Sequence, residues 1–114
     1  MNYTLYHQDQ MIGKVTLVEQ DFPNLFGVYE LHQLAEENPI AEYINYSVKA
    51  NKLMNEDEAK WIEFAEKEEL KFIDLIESDD WKLVDEIGNT HKIMIPNFGD
   101  NQPWNCLAVE LTSF

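Results

Sequence analysis

Apolar and polar residues alternate with a period of two along the first third of the chain, which predicts β-strands. Strands are expected over residues 2–8, 11–19 and 26–32. The Asp-Phe-Pro step at 21–23 separates the second strand from the third, because proline has no N–H to donate to a ladder. Gly27 indicates a bulge or a close approach of two backbones. The short connections predict an antiparallel meander.

In the middle of the chain, apolar residues recur every three to four positions, which is the spacing of an amphipathic helix. Asn38-Pro39 predicts a helix start, because asparagine suits the N-cap and proline the first helical position. A second start is expected at Asn55, where a glutamate three residues later completes a capping-box-like pair. An apolar stripe carries this second helix to about Ser78. The stretch 70–76 also fits a buried strand, and this alternative stays open.

The last third returns to strand-like alternation. Strands are predicted over 81–87 and 91–95, joined by a two-residue hairpin turn at Gly88-Asn89. Residues 96–103 are predicted to form a loop, and 104–112 the last strand. The apolar face of that strand is expected to carry Leu107, Val109 and Leu111.

The predicted order is three strands, two helices and three strands. With 114 residues, the chain has the length of a single domain, expected to span 1–114. The fold class that follows is α+β, a mostly antiparallel sheet of about six strands with the helices on one face.

Charge narrows the range of functions. The chain has 22 acidic residues and eight basic ones, all of them lysine, and a formal net charge of −14. Phosphate recognition needs a basic surface, so neither direct nucleic-acid binding nor attachment to an anionic membrane is expected. The charge instead favours solubility and attraction to a basic protein partner.

The expected cellular compartment is inferred from the absence of a membrane-spanning segment, a signal peptide and paired cysteines. No apolar run approaches the roughly 20 residues that cross a bilayer, and the first residues do not resemble a signal peptide. Cys106 is the single cysteine, so neither an internal disulfide nor a cysteine-based metal site is expected. The negative field would raise the pKa of its thiol, and Cys106 is predicted to be a buried small hydrophobe. A cytoplasmic protein is expected.

Candidate chemistry is sparse. The three histidines, His7, His32 and His91, show none of the spacings typical of metal ligands. Two of them could still meet across strands near Glu30, so a small enzyme or metal protein built on histidines and carboxylates stays open as an alternative. The sequence shows no phosphate loop, calcium loop or nucleophile elbow. No catalytic residue, metal or cofactor is predicted.

The strongest feature is the distribution of acidic residues. Sixteen of the 22 lie between residues 36 and 86, together with six lysines. A charged helix face is most often only solvated, but excess like charge opposes folding, and a basic partner would relieve that cost. Tyrosine and tryptophan are typical interface anchors, so one or two tyrosines are expected beside these acids. The predicted partner-binding residues are Tyr43, Tyr46, Glu63, Glu66, Glu69, Asp74 and Glu77.

The N-terminal third resembles a widespread type of small uncharacterised bacterial α+β protein. The segments that carry the resemblance are Tyr3-Thr4-Leu5-Tyr6, Ile12-Gly13-Lys14-Val15, Asp21-Phe22-Pro23 and Gly27-Val28-Tyr29-Glu30. In that type an aspartate–aromatic–proline step leads into a glycine-led strand, followed by two helices and a closing hairpin. A tryptophan often follows the proline there, whereas this chain has Asn24. The resemblance implies the layout and no activity.

In size, acidity and lack of a catalytic set, the chain is also similar to bacterial immunity proteins, which bind and neutralise a toxin domain. The function expected first is an immunity or antitoxin-like inhibitor that occludes a basic toxin or nuclease. One alternative is a nucleic-acid mimic that blocks a DNA-binding protein. A monomer or weak homodimer is expected, because like charge of this size opposes self-association.

Overall fold

A computed structural model describes residues 2–32, 34, 37–100 and 102–109. The strands are β1 (Asn2–His7), β2 (Gln10–Asp21), β3 (Asn24–Leu31), β4 (Trp81–Asp85), β5 (Thr90–Lys92), β6 (Asn97–Phe98) and β7 (Pro103–Leu107). The helices are α1 (Pro39–Glu56), α2 (Glu58–Glu68) and α3 (Ile73–Ile76), with a 3₁₀ turn (Glu69–Phe72) between α2 and α3. The fold class is α+β, as predicted.

The described strands form one antiparallel sheet in the order β5-β4-β1-β2-β3-β7-β6. The predicted meander of the first three strands is confirmed. Gly27 does mark a close approach, since a Cβ there would collide with the carbonyl oxygen of Thr16 on β2. The described sheet has seven strands where about six were predicted, because the segment 96–103 contains the short strand β6. This strand pairs with β7 through Asn97 and Phe98.

The two ends of the sheet meet. Ile93, which follows β5, forms an antiparallel bridge with Ala108, which follows β7. Beside this bridge, the Met94 N–H donates to the Leu107 carbonyl over 2.9 Å. The sheet therefore curls towards a barrel, and residues after β5 gain backbone partners that an open sheet edge would lack.

The core lies between the inner side of this sheet and α1. Ile40, Tyr43 and Ile44 of α1 form one hydrophobic cluster with side chains from the strands. The strand residues that are fully buried include Leu5, Ile12, Val15, Leu25, Trp81, Leu83 and Phe98, and Ile93, which follows β5, is buried with them. Helix α2 has no buried residue and packs against α1, so it forms an outer layer.

The start of α1 agrees with the sequence prediction. Asn38 is the N-cap, its Oδ1 accepts a 2.9 Å hydrogen bond from the Ile40 N–H, and Pro39 opens the helix. The predicted second start at Asn55 is wrong. Helix α1 continues past this residue, and Asp57 instead caps α2.

The second helix is also shorter than predicted. It ends at Glu68 instead of Ser78, and the 3₁₀ turn and α3 follow it. The stretch 70–76, for which a buried strand was the alternative, is helical in these two pieces. Phe72 turns into the core there and lies edge-on to Tyr43, with ring centroids 5.7 Å apart.

The hairpin between β4 and β5 has a wider turn than predicted. Asp85 Oδ1 accepts from the N–H groups of Ile87, at 3.1 Å, and Asn89, at 2.8 Å. These bonds hold a four-residue loop, in which Gly88 has φ +92°. Strand β4 therefore ends at Asp85, and Ile87 is exposed.

The predicted apolar face of the last strand is wrong. Trp104, Cys106 and Ala108 point into the core, whereas Leu107 and Val109 are exposed. The pairing with β3 sets this orientation, since Cys106 lies opposite the buried Leu25. The predicted continuation through Leu111 to residue 112 lies outside the described residues.

Candidate functional site

The five predicted acidic partner-binding residues lie on the outer helical layer, and every one is exposed. Glu63 and Glu66 belong to α2, Glu69 opens the 3₁₀ turn, Asp74 lies in α3 and Glu77 follows it. The first three are spaced three residues apart, which places them on one side of the helix. These five residues are called the acidic face below.

Three apolar side chains interrupt the acidic face. Leu70 is 74% exposed, Ile62 43% and Ile73 40%. Ile62 and Leu70 lie one helical turn before and after Glu66. Exposed apolar residues surrounded by charge are typical of protein-binding surfaces, in which an apolar centre has a polar rim.

Lysine neutralises little of this surface. Within the described part of the chain, the one lysine–carboxylate salt bridge joins Lys71 Nζ to Glu68 Oε2 over 2.6 Å. The hydrogen bond from Lys71 lowers the pKa of Glu68. Lys67 lies one turn from Glu63 and forms no salt bridge with it. The acidic face therefore keeps its excess negative charge.

The structure separates the two predicted tyrosines. Tyr43 is 4% exposed and its hydroxyl donates a 2.7 Å hydrogen bond to the Pro96 carbonyl, so its predicted place on a binding face is wrong. Burial raises the pKa of Tyr43. Tyr46 is half-buried and stacks on Phe64, with centroids 5.6 Å apart. Burial, and then the carboxylates of Glu69 and Glu68, raise the pKa of Tyr46.

A polar row on α1 binds the outermost strand, β6. Besides the Tyr43 bond to Pro96, the Ser47 hydroxyl accepts from the Phe98 N–H over 2.8 Å, and the Asn51 side-chain amide donates to the Phe98 carbonyl over 3.1 Å. These three helical residues are spaced four apart, so they follow one side of α1. They satisfy backbone groups that would otherwise form an open sheet edge.

A groove runs beside this row. A cavity of about 570 Å³ lies where the end of α1 faces β6 and β7, and another of about 380 Å³ lies between α1, α2 and the same strands. The two adjoin, because they share three lining residues, and together they are called the amide groove below. Its side-chain amides are those of Asn51, Asn55, Asn97 and Asn105.

Trp104 lines the larger part of the amide groove, and its indole N–H is anomalous. This N–H is sealed from solvent and has no acceptor among the described residues. An unsatisfied buried donor costs about 1–3 kcal/mol and calls for an explanation. Trp81 gives the contrast, since its indole N–H donates to the Leu75 carbonyl over 3.1 Å.

The amide groove was not predicted from the sequence. Its residues come from β3, from α1, from α2 and the turn after it, and from β6 and β7, which lie more than 40 positions after Asn55, and no local pattern joins these segments. The spacing of Asn51 and Asn55, one helical turn apart, was the available signal. It indicates a polar stripe on α1 but not the strands that face it.

The histidines have separate partners. His7 Nε2 lies 3.0 Å from Ser78 Oγ, whereas His91 Nε2 lies 3.1 Å from Asp85 Oδ2. His32 is exposed. Over the ranges that the structure describes, no group of three or more histidine, cysteine, aspartate or glutamate side chains is placed to hold a metal ion.

Cys106 is a core residue. Its side chain is buried, and this burial raises the pKa of the thiol. A thiol of this kind is a poor nucleophile, because the thiolate is the reactive form. The prediction that Cys106 is a small buried hydrophobe is confirmed.

Comparisons of the chain with protein-family models, with curated proteins and with solved structures gave no match. None of the helices in the described ranges combines the length and the apolar composition needed to cross a membrane.

Proposed function

We propose that the protein is a cytoplasmic protein-binding module that neutralises a basic partner, in the manner of bacterial immunity and antitoxin proteins. The observation that carries the proposal is the acidic face, which is exposed, largely without lysine partners and interrupted by Ile62, Leu70 and Ile73. Charge complementarity gives fast and selective association, while desolvated apolar residues supply much of the affinity.

The mechanism is occlusion without chemistry. The carboxylates would pair with lysine or arginine side chains in the substrate groove of the partner, a toxin or nuclease domain, and the outer helical layer would cover that groove. The long-range field steers the two proteins together, so association depends on salt. The apolar residues then slow dissociation.

The alternative of a nucleic-acid mimic is less well supported. A duplex carries one negative charge per about 1.7 Å of its axis, so a mimic needs closely spaced carboxylates. Here three exposed apolar side chains, together with Lys67 and Lys71, interrupt the carboxylates. This mixture suits a protein surface better than a phosphate-binding groove.

The test is affinity capture from the native host's lysate with three versions of the tagged protein. One is the wild type, and one carries Glu63→Lys, Glu66→Lys and Asp74→Lys on the acidic face. The matched control carries Asp9→Lys, Glu19→Lys and Asp21→Lys, which are exposed residues of the β1–β2 turn and β2. The control changes the net charge equally but leaves the acidic face intact.

We expect the wild type and the control to retain one stoichiometric basic protein that moderate salt releases, and the acidic-face variant to lose it. Co-expression adds a functional measurement. The captured protein alone should arrest growth, and the wild type and the control should restore it. Equal capture and equal rescue by all three versions would contradict the proposal.

A further inference from the structure

We propose that the amide groove binds an extended, cationic polypeptide segment of the partner. The inference rests on the proposed function, because it assigns part of the same partner to a second surface. Glu69 connects the two surfaces, since it belongs to the acidic face and also lines the smaller part of the groove. A partner that covers the acidic face can therefore continue into the groove.

The chemistry of the walls fits a peptide backbone. A peptide unit offers one N–H donor and one carbonyl acceptor, and each asparagine side chain can both donate and accept. Asn55, Asn97 and Asn105 line the groove, whereas the amide nitrogen of Asn51 is already bonded to the Ser47 and Phe98 carbonyls. Three amides thus remain to pair with main-chain groups of a bound segment.

The unsatisfied indole N–H of Trp104 is the second observation. Trp104 is among the residues that line the larger cavity, and it is only 2% exposed. A buried N–H without an acceptor is usually explained by a missing water, ion or ligand. A peptide carbonyl bound in the groove would supply this acceptor once the wall moves to expose the indole N–H.

Charge selects a cationic segment. Glu56 and Asp100 line the larger cavity and Glu69 the smaller one, whereas Lys52 is the one basic residue among their lining residues. The groove is therefore net negative, which disfavours phosphate and carboxylate ligands. Lysine or arginine side chains of the bound segment would find the carboxylates of Glu56 and Glu69 at the walls.

The length of the groove fits a short strand-like segment. From Tyr46 to Glu56, its walls follow α1 over about 15 Å. That is the span of about four extended residues. An extended segment presents all its backbone groups to the walls, as in other peptide-binding grooves.

The experiment is a titration of the full-length ¹⁵N-labelled protein, followed by NMR at its three indole N–H signals. The probe is a capped Ala-Lys-Ala-Lys-Ala peptide. Three further ligands are compared with it: the same peptide with N-methylated backbone amides, an Ala-Gln-Ala-Gln-Ala peptide, and a neutral glucose trisaccharide. Trp104→Phe assigns the Trp104 signal, because it removes this N–H and retains an aromatic ring.

We expect the lysine peptide to move the Trp104 signal downfield in a saturable way, with a dissociation constant in the millimolar range. The glutamine peptide should bind more weakly, and the N-methylated peptide should have no effect. Asn55→Ala and Asn105→Ala should each weaken binding about fivefold, as expected for one or two lost neutral hydrogen bonds. Asn45→Ala, an exposed residue of α1 that does not line the groove, is the control and should leave binding unchanged.

Two results would overturn the inference: no saturable shift of the Trp104 signal with the lysine peptide, or a shift with the trisaccharide alone. The variant with lysines at positions 63, 66 and 74 keeps every residue of the groove. We expect it to bind the peptide and to lose the captured protein; capture equal to that of the wild type would count against the acidic face alone, and loss of peptide binding by the wild type would count against the groove alone. A failure of the groove is thereby distinguished from a failure of the acidic face.

Discussion

The hydroxyl of Ser47 accepts a 2.8 Å hydrogen bond from the backbone N–H of Phe98. Both residues are buried, and the bond joins the middle of α1 to the outermost strand of the sheet. The strand is only two residues long, and side chains of a helix provide its outer partners. The same helix therefore protects a sheet edge and builds one wall of the amide groove.

Replacing Ser47 by alanine should destabilise the protein, because it leaves the buried N–H of Phe98 without an acceptor. The expected loss is about 1–3 kcal/mol of unfolding free energy, reduced by about 0.5 kcal/mol because alanine favours the helix. Urea denaturation measures it. Asn45→Ala, on the exposed side of α1, should change stability by no more than about 0.5 kcal/mol. Equal midpoints for the two variants would show that the Ser47 bond contributes nothing.

The two core tryptophans offer a matched comparison. Both Trp81→Phe and Trp104→Phe remove buried volume, but Trp81→Phe also breaks the bond to the Leu75 carbonyl, whereas Trp104→Phe removes an N–H that has no acceptor. Trp81→Phe should therefore be the more destabilising by about 1–3 kcal/mol. Thermal and urea unfolding of both variants test this. If Trp104→Phe is equally or more destabilising, its indole N–H has an acceptor in solution.

His7 should make stability depend on pH. It packs against Trp81 at 4.7 Å between ring centroids, and burial lowers its pKa below the usual 6.5, although Asp80 acts in the opposite direction. As the pH falls below 6.5, His7 therefore takes up a proton more readily in the unfolded chain than in the folded one. The contribution of His7 to stability is complete above pH 6.5 and is lost as the pH falls to the lowered pKa of the folded state.

The measurement is the urea midpoint of the wild type and of His7→Gln between about pH 8 and pH 5, above the range in which most carboxylates titrate. The wild type should lose stability towards the lower pH, and His7→Gln should lose less over the same interval. Parallel curves for the two proteins would mean that the folded state does not depress the pKa of His7.

Local sequence patterns predicted which helices and strands form better than they predicted the residues at which these elements begin and end. Asn38 and Pro39 marked the start of α1 correctly, because capping depends on neighbouring residues alone. The start of α2 was displaced from Asp57 to Asn55, because both residues can cap a helix and the sequence does not show how far the preceding helix continues.

Which face of β7 is buried could not be predicted from the sequence, for a different reason. Alternate residues are apolar on both sides of this strand, so periodicity alone does not distinguish the buried face. The partner strand decides it, through the pairing of Cys106 with Leu25. Similarly, the exposure of Glu63 and Glu66 followed from the helical period, whereas the burial of Tyr43 depends on the distant Pro96.

The acidic face is the central claim, and the rate of association with the captured partner tests it most directly. Stopped-flow fluorescence would measure this rate over a range of salt concentrations for the wild type, for the acidic-face variant and for the control with lysines at positions 9, 19 and 21. The wild type and the control should associate much more slowly as salt rises, because screening weakens steering.

The acidic-face variant should associate slowly at every salt concentration, and its dissociation rate should change little. This result would establish that Glu63, Glu66 and Asp74 guide a basic partner to the outer helical layer. Association that is independent of salt, or equally fast for the wild type and the acidic-face variant, would contradict the account.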